Sequence, residues 1–68
     1  MQAIAAKMVT SRAARSNRIV AALRRGPAWM PEISQRSGLS IIKTRNTVAR
    51  LFDAGVIDIT RQGFRVSP

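Results

Sequence analysis

Sixty-eight residues leave room for one domain with a modest core, small enough for self-association to add useful stability. Twelve Lys and Arg against three acids give a net charge of +9 and a pI near 12.0, which points to a polyanionic partner through counterion release and steering. Cys and His are absent, which excludes disulfides and thiolate metal sites and removes the commonest general base. The chain therefore reads as a non-enzyme without metal or cofactor, suited to a reducing cytoplasm.

Residues 1–10, MQAIAAKMVT, are rich in helix formers and place Ile4 and Met8 on one side of a helix. Two readings compete: a loose N-terminal extension, or a homodimer contact made by Ile4 and Met8. A membrane-surface helix here is a third and weaker reading. No run reaches the roughly 18 apolar residues that a membrane span needs. The domain proper is read as 11–68. Its first helix is capped at Ser11, with Thr10 or an earlier start as alternatives, and ends at Arg25 before Gly26-Pro27. Ile19, Val20 and Leu23 form its core stripe, extended toward the N-terminus by Ala13 and Ser16. Arg15, Arg18 and Arg25 fall near one another on an exposed side; Arg24 and Arg25 suit the helix C-terminus, and the others are open equally to phosphate contact and to solvation.

Ala28-Trp29 reads as a short extended connection able to pair with a later hairpin. Trp29 suits a lid over the core, with base stacking as the alternative. A short helix follows over 31–37. Pro31 stands at the first helical position, where its missing N–H costs nothing, and Glu32 complements the helix dipole. Gly38 supplies a left-handed residue to end it, and Leu39 turns back onto it. Ser40 caps the next helix, which runs to Ala54 before Gly55. Its inward set is Ile41, Val48, Leu51 and Phe52, with the Thr44 methyl filling a gap. Its outward set is Ile42, Lys43, Asn46, Ala49, Arg50 and Asp53, with Arg45 on the flank. Arg and Lys bond guanine N7 and O6, and Asn makes a bidentate pair with adenine, so this face has the chemistry to read a major groove.

From Val56 the pattern changes to period 2. Residues 56–60 and 64–66 read as two strands joined at Arg61-Gln62-Gly63. Ile57 and Ile59 share one face of their strand and Phe64 and Val66 one face of theirs. The four are not expected to face one way together. Arg61 and Arg65 decorate the hairpin. No internal repeat, low-complexity stretch or linker interrupts the chain.

The stretch GLSIIKTRNTVARLFDAGVIDITRQGFRV resembles the winged helix-turn-helix of small bacterial and phage transcription regulators. The likeness lies in the Gly38-Leu39-Ser40 turn before the long helix, in the phrase from Leu51 through Ala54-Gly55-Val56-Ile57, and in the hairpin after it. It spans roughly residues 11 to 67. One position departs from the pattern: Thr44 stands where that family usually has an aliphatic residue, which implies looser docking of the helix. The resemblance implies a mainly α fold with a small β-hairpin (α+β), a three-helix winged helix-turn-helix. It also implies a nucleoid-associated, sequence-specific regulator of transcription, such as a repressor, that binds double-stranded DNA as a homodimer. Ser40, Lys43, Arg45, Asn46 and Arg50 are its expected contacts, with Arg36 on the preceding helix and Arg61 and Arg65 on the wing. A winged-helix adaptor that binds a protein of the transcription machinery is the alternative from another class. An architectural or recombination accessory protein is the alternative within DNA binding.

Overall fold

The computed structural model describes residues 11–68; Ile4 and Met8 lie outside them. Three helices, α1 (Arg12–Arg24), α2 (Met30–Ser37) and α3 (Ile41–Asp53), precede an antiparallel hairpin of β1 (Ile57–Thr60) and β2 (Gly63–Val66). The fold is mainly helical with a small sheet, in a winged-helix-like order.

Each helix boundary has a local cause. Ser11 Oγ accepts the Ala14 N–H at 3.0 Å and opens α1. Ser40 Oγ accepts the Lys43 N–H at 3.2 Å and opens α3. Pro31 sits in the first turn of α2, whose N-cap, Trp29, makes no side-chain cap bond. Gly38 ends that helix in the left-handed conformation at φ 75°, its N–H donating to Ser34 O at 3.0 Å. Two serines then stitch the turn into α3. Ser34 Oγ donates to Leu39 O at 2.6 Å, and Ser37 Oγ accepts the Leu39 N–H at 3.3 Å. Ser34 thus fixes the angle between the two helices.

The core is one cluster of Ile19, Leu23, Ala28, Ile33, Leu39, Val48, Leu51 and Ile57, with Val20, Met30, Phe64 and Val66 packed against it. Each helix and the first strand send at least one fully buried aliphatic side chain into it, and each such burial contributes about 1.5–3 kcal/mol. Three expectations about facing are corrected. Ala13 is exposed, and the buried small residue of α1 is Ala22. On α3 the inward stripe is Thr44, Thr47, Val48 and Leu51, while Ile41 and Phe52 lie at its margins, nearly half exposed. A set at i, i+3, i+4, i+7 is the helical period; the sequence reading had this stripe turned too far toward Ile41 and Phe52. Thr44 does not hang loose: it is 0% exposed.

The third correction concerns the hairpin. Ile57 pairs with Val66 and Ile59 with Phe64, and directly opposed residues of an antiparallel pair share a face. All four apolar side chains therefore point one way. Ile57 is buried and Ile59 extends past the core into solvent. Ala28 adds a single-residue bridge to the sheet: its N–H donates to Phe64 O at 3.1 Å and its carbonyl accepts the Phe64 N–H at 2.8 Å. Gly63 makes this approach possible. A Cβ there would stand 2.5 Å from the Ala28 carbonyl carbon and oxygen, at φ +124°. Trp29 and Phe52 flank Phe64 edge-on, with ring centroids 6.0 and 6.3 Å from it. Trp29 is a partial lid, half exposed.

Candidate nucleic-acid interface

Helix α3 presents its outer side to solvent along its length. Ile42, Lys43, Arg45, Asn46 and Ala49 are all exposed, and Ile42 is 66% exposed. Ser40 is also exposed at the helix start, where its oxygen already serves as the cap. The first turns of α3 therefore combine cationic and amide donors with one apolar side chain, and no other described element covers them. Groove readout needs that combination.

The remaining expected contacts are distributed differently. Arg50 is half-buried, and its Nη2 donates to Ser16 Oγ at 2.9 Å and to Arg12 O at 3.4 Å. It ties α3 to the start of α1. Arg36 turns inward: its side chain is 17% exposed, and its Nη1 donates to Ala22 O at 3.1 Å and Gly26 O at 2.9 Å. A cation that satisfies carbonyls at a helix C-terminus also suits the dipole there. Its Nη2 meets Glu32 Oε2 at 2.9 Å, one turn back along α2. Arg36 is thus a brace between α1 and α2. On the wing, Arg65 makes a two-pronged pair with its cross-strand partner Asp58, Nε to Oδ1 at 2.9 Å and Nη2 to Oδ2 at 3.4 Å. The hydrogen bond and then the charge of Asp58 raise the Arg65 pKa above its ordinary value. Arg61 stands exposed at the hairpin turn, where Thr60 Oγ1 donates to Gly63 O and accepts the Gln62 N–H.

The sequence reading did not find the cleft between α1 and α3. Arg12, Arg15, Lys43, Asn46, Thr47 and Arg50 enclose about 330 Å³ there. A signal for it exists in the spacing, since 12, 15 and 16 fall on one stripe of α1 and 43, 46, 47 and 50 on one stripe of α3. What the spacing lacks is the instruction that the two stripes face each other.

Comparison with protein-family models, curated proteins and solved structures finds no match to this chain. Its chemistry must be read from its own residues. Among the described residues no group of three or more His, Cys, Asp or Glu is placed to hold a metal ion. No described helix is long and apolar enough to cross a membrane.

Proposed function

We propose that the protein is a DNA-binding transcription regulator whose helix α3 enters the major groove of a duplex. The observation that carries this reading is the uncovered side of α3, where Lys43, Arg45 and Asn46 stand with Ile42 on a chain of charge +9. Arg45 suits guanine, Asn46 suits adenine, Ile42 suits the thymine methyl, and Lys43 suits a guanine or a neighbouring phosphate. Arg61 at the wing tip supplies a backbone or minor-groove contact. Arg65 contributes there only as part of its Asp58 pair, and Arg36 supports the helix angle without touching the duplex. About five to seven neutralised phosphates would make log K fall with log salt at a slope of about −4.5 to −6. A homodimer, with Ile4 and Met8 in its contact, would read two half-sites about one helical turn apart, and a nucleoid location follows from such binding.

The test is an Arg45→Ala/Asn46→Ala variant in a gel-shift assay against sequences selected from random duplexes. Both side chains are exposed, so the fold is expected to survive. Loss of sequence preference supports the reading, whereas unchanged affinity and preference in a folded variant refute it. The competing reading is a protein-binding adaptor, favoured by Ile42, because an apolar side chain this exposed serves a protein contact as well as a thymine methyl. Ile42→Glu would then abolish partner binding and leave any residual duplex affinity insensitive to sequence.

A further inference from the structure

The cleft between α1 and α3 places four cations, Arg12, Arg15, Lys43 and Arg50, around one space, with Asn46 and Thr47 completing the wall and no carboxylate among the lining residues. Gathering like charges costs stability, and a bound anion would offset that cost. The acids are engaged or placed elsewhere: Glu32 with Arg36, Asp58 with Arg65, and Asp53 at the far end of α3.

The lining of the cleft is built rather than incidental. Arg50 is held by Ser16 Oγ and Arg12 O, groups 34 and 38 residues away in the chain. Both bonds use Nη2, and a guanidinium carries three further N–H donors on Nη1 and Nε. An arginine whose rotamer is already fixed loses little entropy when it binds an oxyanion. Lys43 and Arg12 approach from opposite helices, and the Asn46 amide adds a neutral donor. A tetrahedral group with several acceptor oxygens is the ligand such a wall of donors suits.

We infer that this cleft clamps one backbone phosphate of the duplex, so that α1 is a DNA-contacting element and the work on α3 is divided. Lys43 and Arg50, together with Arg12 and Arg15, hold the phosphate. Ile42, Arg45 and Ala49, one stripe further round the helix, face the bases, and Asn46 stands between the two. This inference rests on the DNA-binding reading and adds to it where the strand lies and which residues position rather than read.

The experiment compares two variants that each remove two charges. Arg12→Gln/Arg15→Gln alters this cleft; Arg18→Gln/Arg25→Gln alters a second basic recess, between α1 and α2, lined by Arg18, Arg25 and Arg36. Duplexes bearing one neutral methylphosphonate are scanned across the bound site. At one position the neutral linkage is expected to weaken the unmodified protein about tenfold and to weaken Arg12→Gln/Arg15→Gln distinctly less, since Lys43 and Arg50 remain. That variant should also keep the same preferred sequence and show a salt slope shallower by about 0.9. Equal weakening by both double variants, with no position at which the linkage and Arg12→Gln/Arg15→Gln are coupled, overturns the clamp. If the unmodified protein binds no duplex, the DNA reading fails and the cleft is judged by titrating the protein with tripolyphosphate. Amide shifts centred on Lys43, Asn46 and Thr47, and lost in Arg12→Gln/Arg15→Gln, would retain an anion site. Shifts that are absent or evenly spread would remove it.

Discussion

The Thr44 hydroxyl is fully buried, in a residue of 0% exposure, and has no hydrogen-bond partner among the described residues. Its methyl packs inward on the same stripe as Val48 and Leu51. Replacing Thr44 by Val keeps the branched shape and removes the one polar atom. A buried hydroxyl without a partner costs roughly 1–3 kcal/mol by mutational measure, and helix propensity differs little between the two residues. Thr44→Val is therefore expected to stabilise the protein by roughly 1–3 kcal/mol, which for a domain of this size is roughly 4–8 °C in Tm per kcal/mol. Urea unfolding followed by Trp29 fluorescence measures it, with the midpoint rising and the m-value unchanged. Thr44→Ser is the control: it keeps the hydroxyl, loses the methyl, and should cost about 1 kcal/mol. A valine variant no more stable than the parent, beside a serine variant that shows the methyl loss, would mean that the hydroxyl is satisfied in solution. Duplex affinity should not change in either variant, because the side chain points away from the outer side of α3.

Gly63→Ala should cost roughly 2–5 kcal/mol from strain and overpacking against the Ala28 backbone. Amide exchange would show the loss first at Ala28 and Phe64, whose mutual bonds it breaks. Arg36→Met keeps the aliphatic stem but leaves the Ala22 and Gly26 carbonyls without their charged donor. A fall of roughly 2–3 kcal/mol in urea stability is expected, with duplex affinity at low temperature intact; a selective loss of affinity would instead make Arg36 a phosphate contact. The Asp58 pair raises the Arg65 pKa, so whatever stability it gives is present below the ordinary arginine value and is lost only as pH climbs through the raised one, at the alkaline extreme. With no His in the chain, duplex affinity at fixed salt should vary by less than about twofold between pH 5.5 and 7. A larger change within that window would overturn this expectation.

The helix ends were legible in the sequence because their causes lie within a few residues of each end. Ser11 and Ser40 cap the N–H three residues on, Pro31 needs only its own first turn, and Gly38 and Gly55 take the left-handed turns that follow their helices. The change from period 3.6 to period 2 after Gly55 likewise located the hairpin, and its exposed tip kept Arg61 where it was expected. The exposure of Lys43, Arg45 and Asn46 followed from the same local arithmetic.

Tertiary structure decided what depends on distance through space. The rotation of α3 about its axis, with Thr44 and Thr47 inward and Ile41 and Phe52 at the margins of the buried stripe, follows from the shape of the space left by α1 and α2. Hairpin parity turned on one residue of register, which pairs Ile57 with Val66 and aligns all four apolar side chains. The arginines depended most on packing. A long flexible cation binds whichever oxygen the fold brings near, so Arg36 became a brace for a helix end and Arg50 a tie between α3 and α1. Arg50's partner hydroxyl is 34 residues distant along the chain, and no local pattern encodes such a separation.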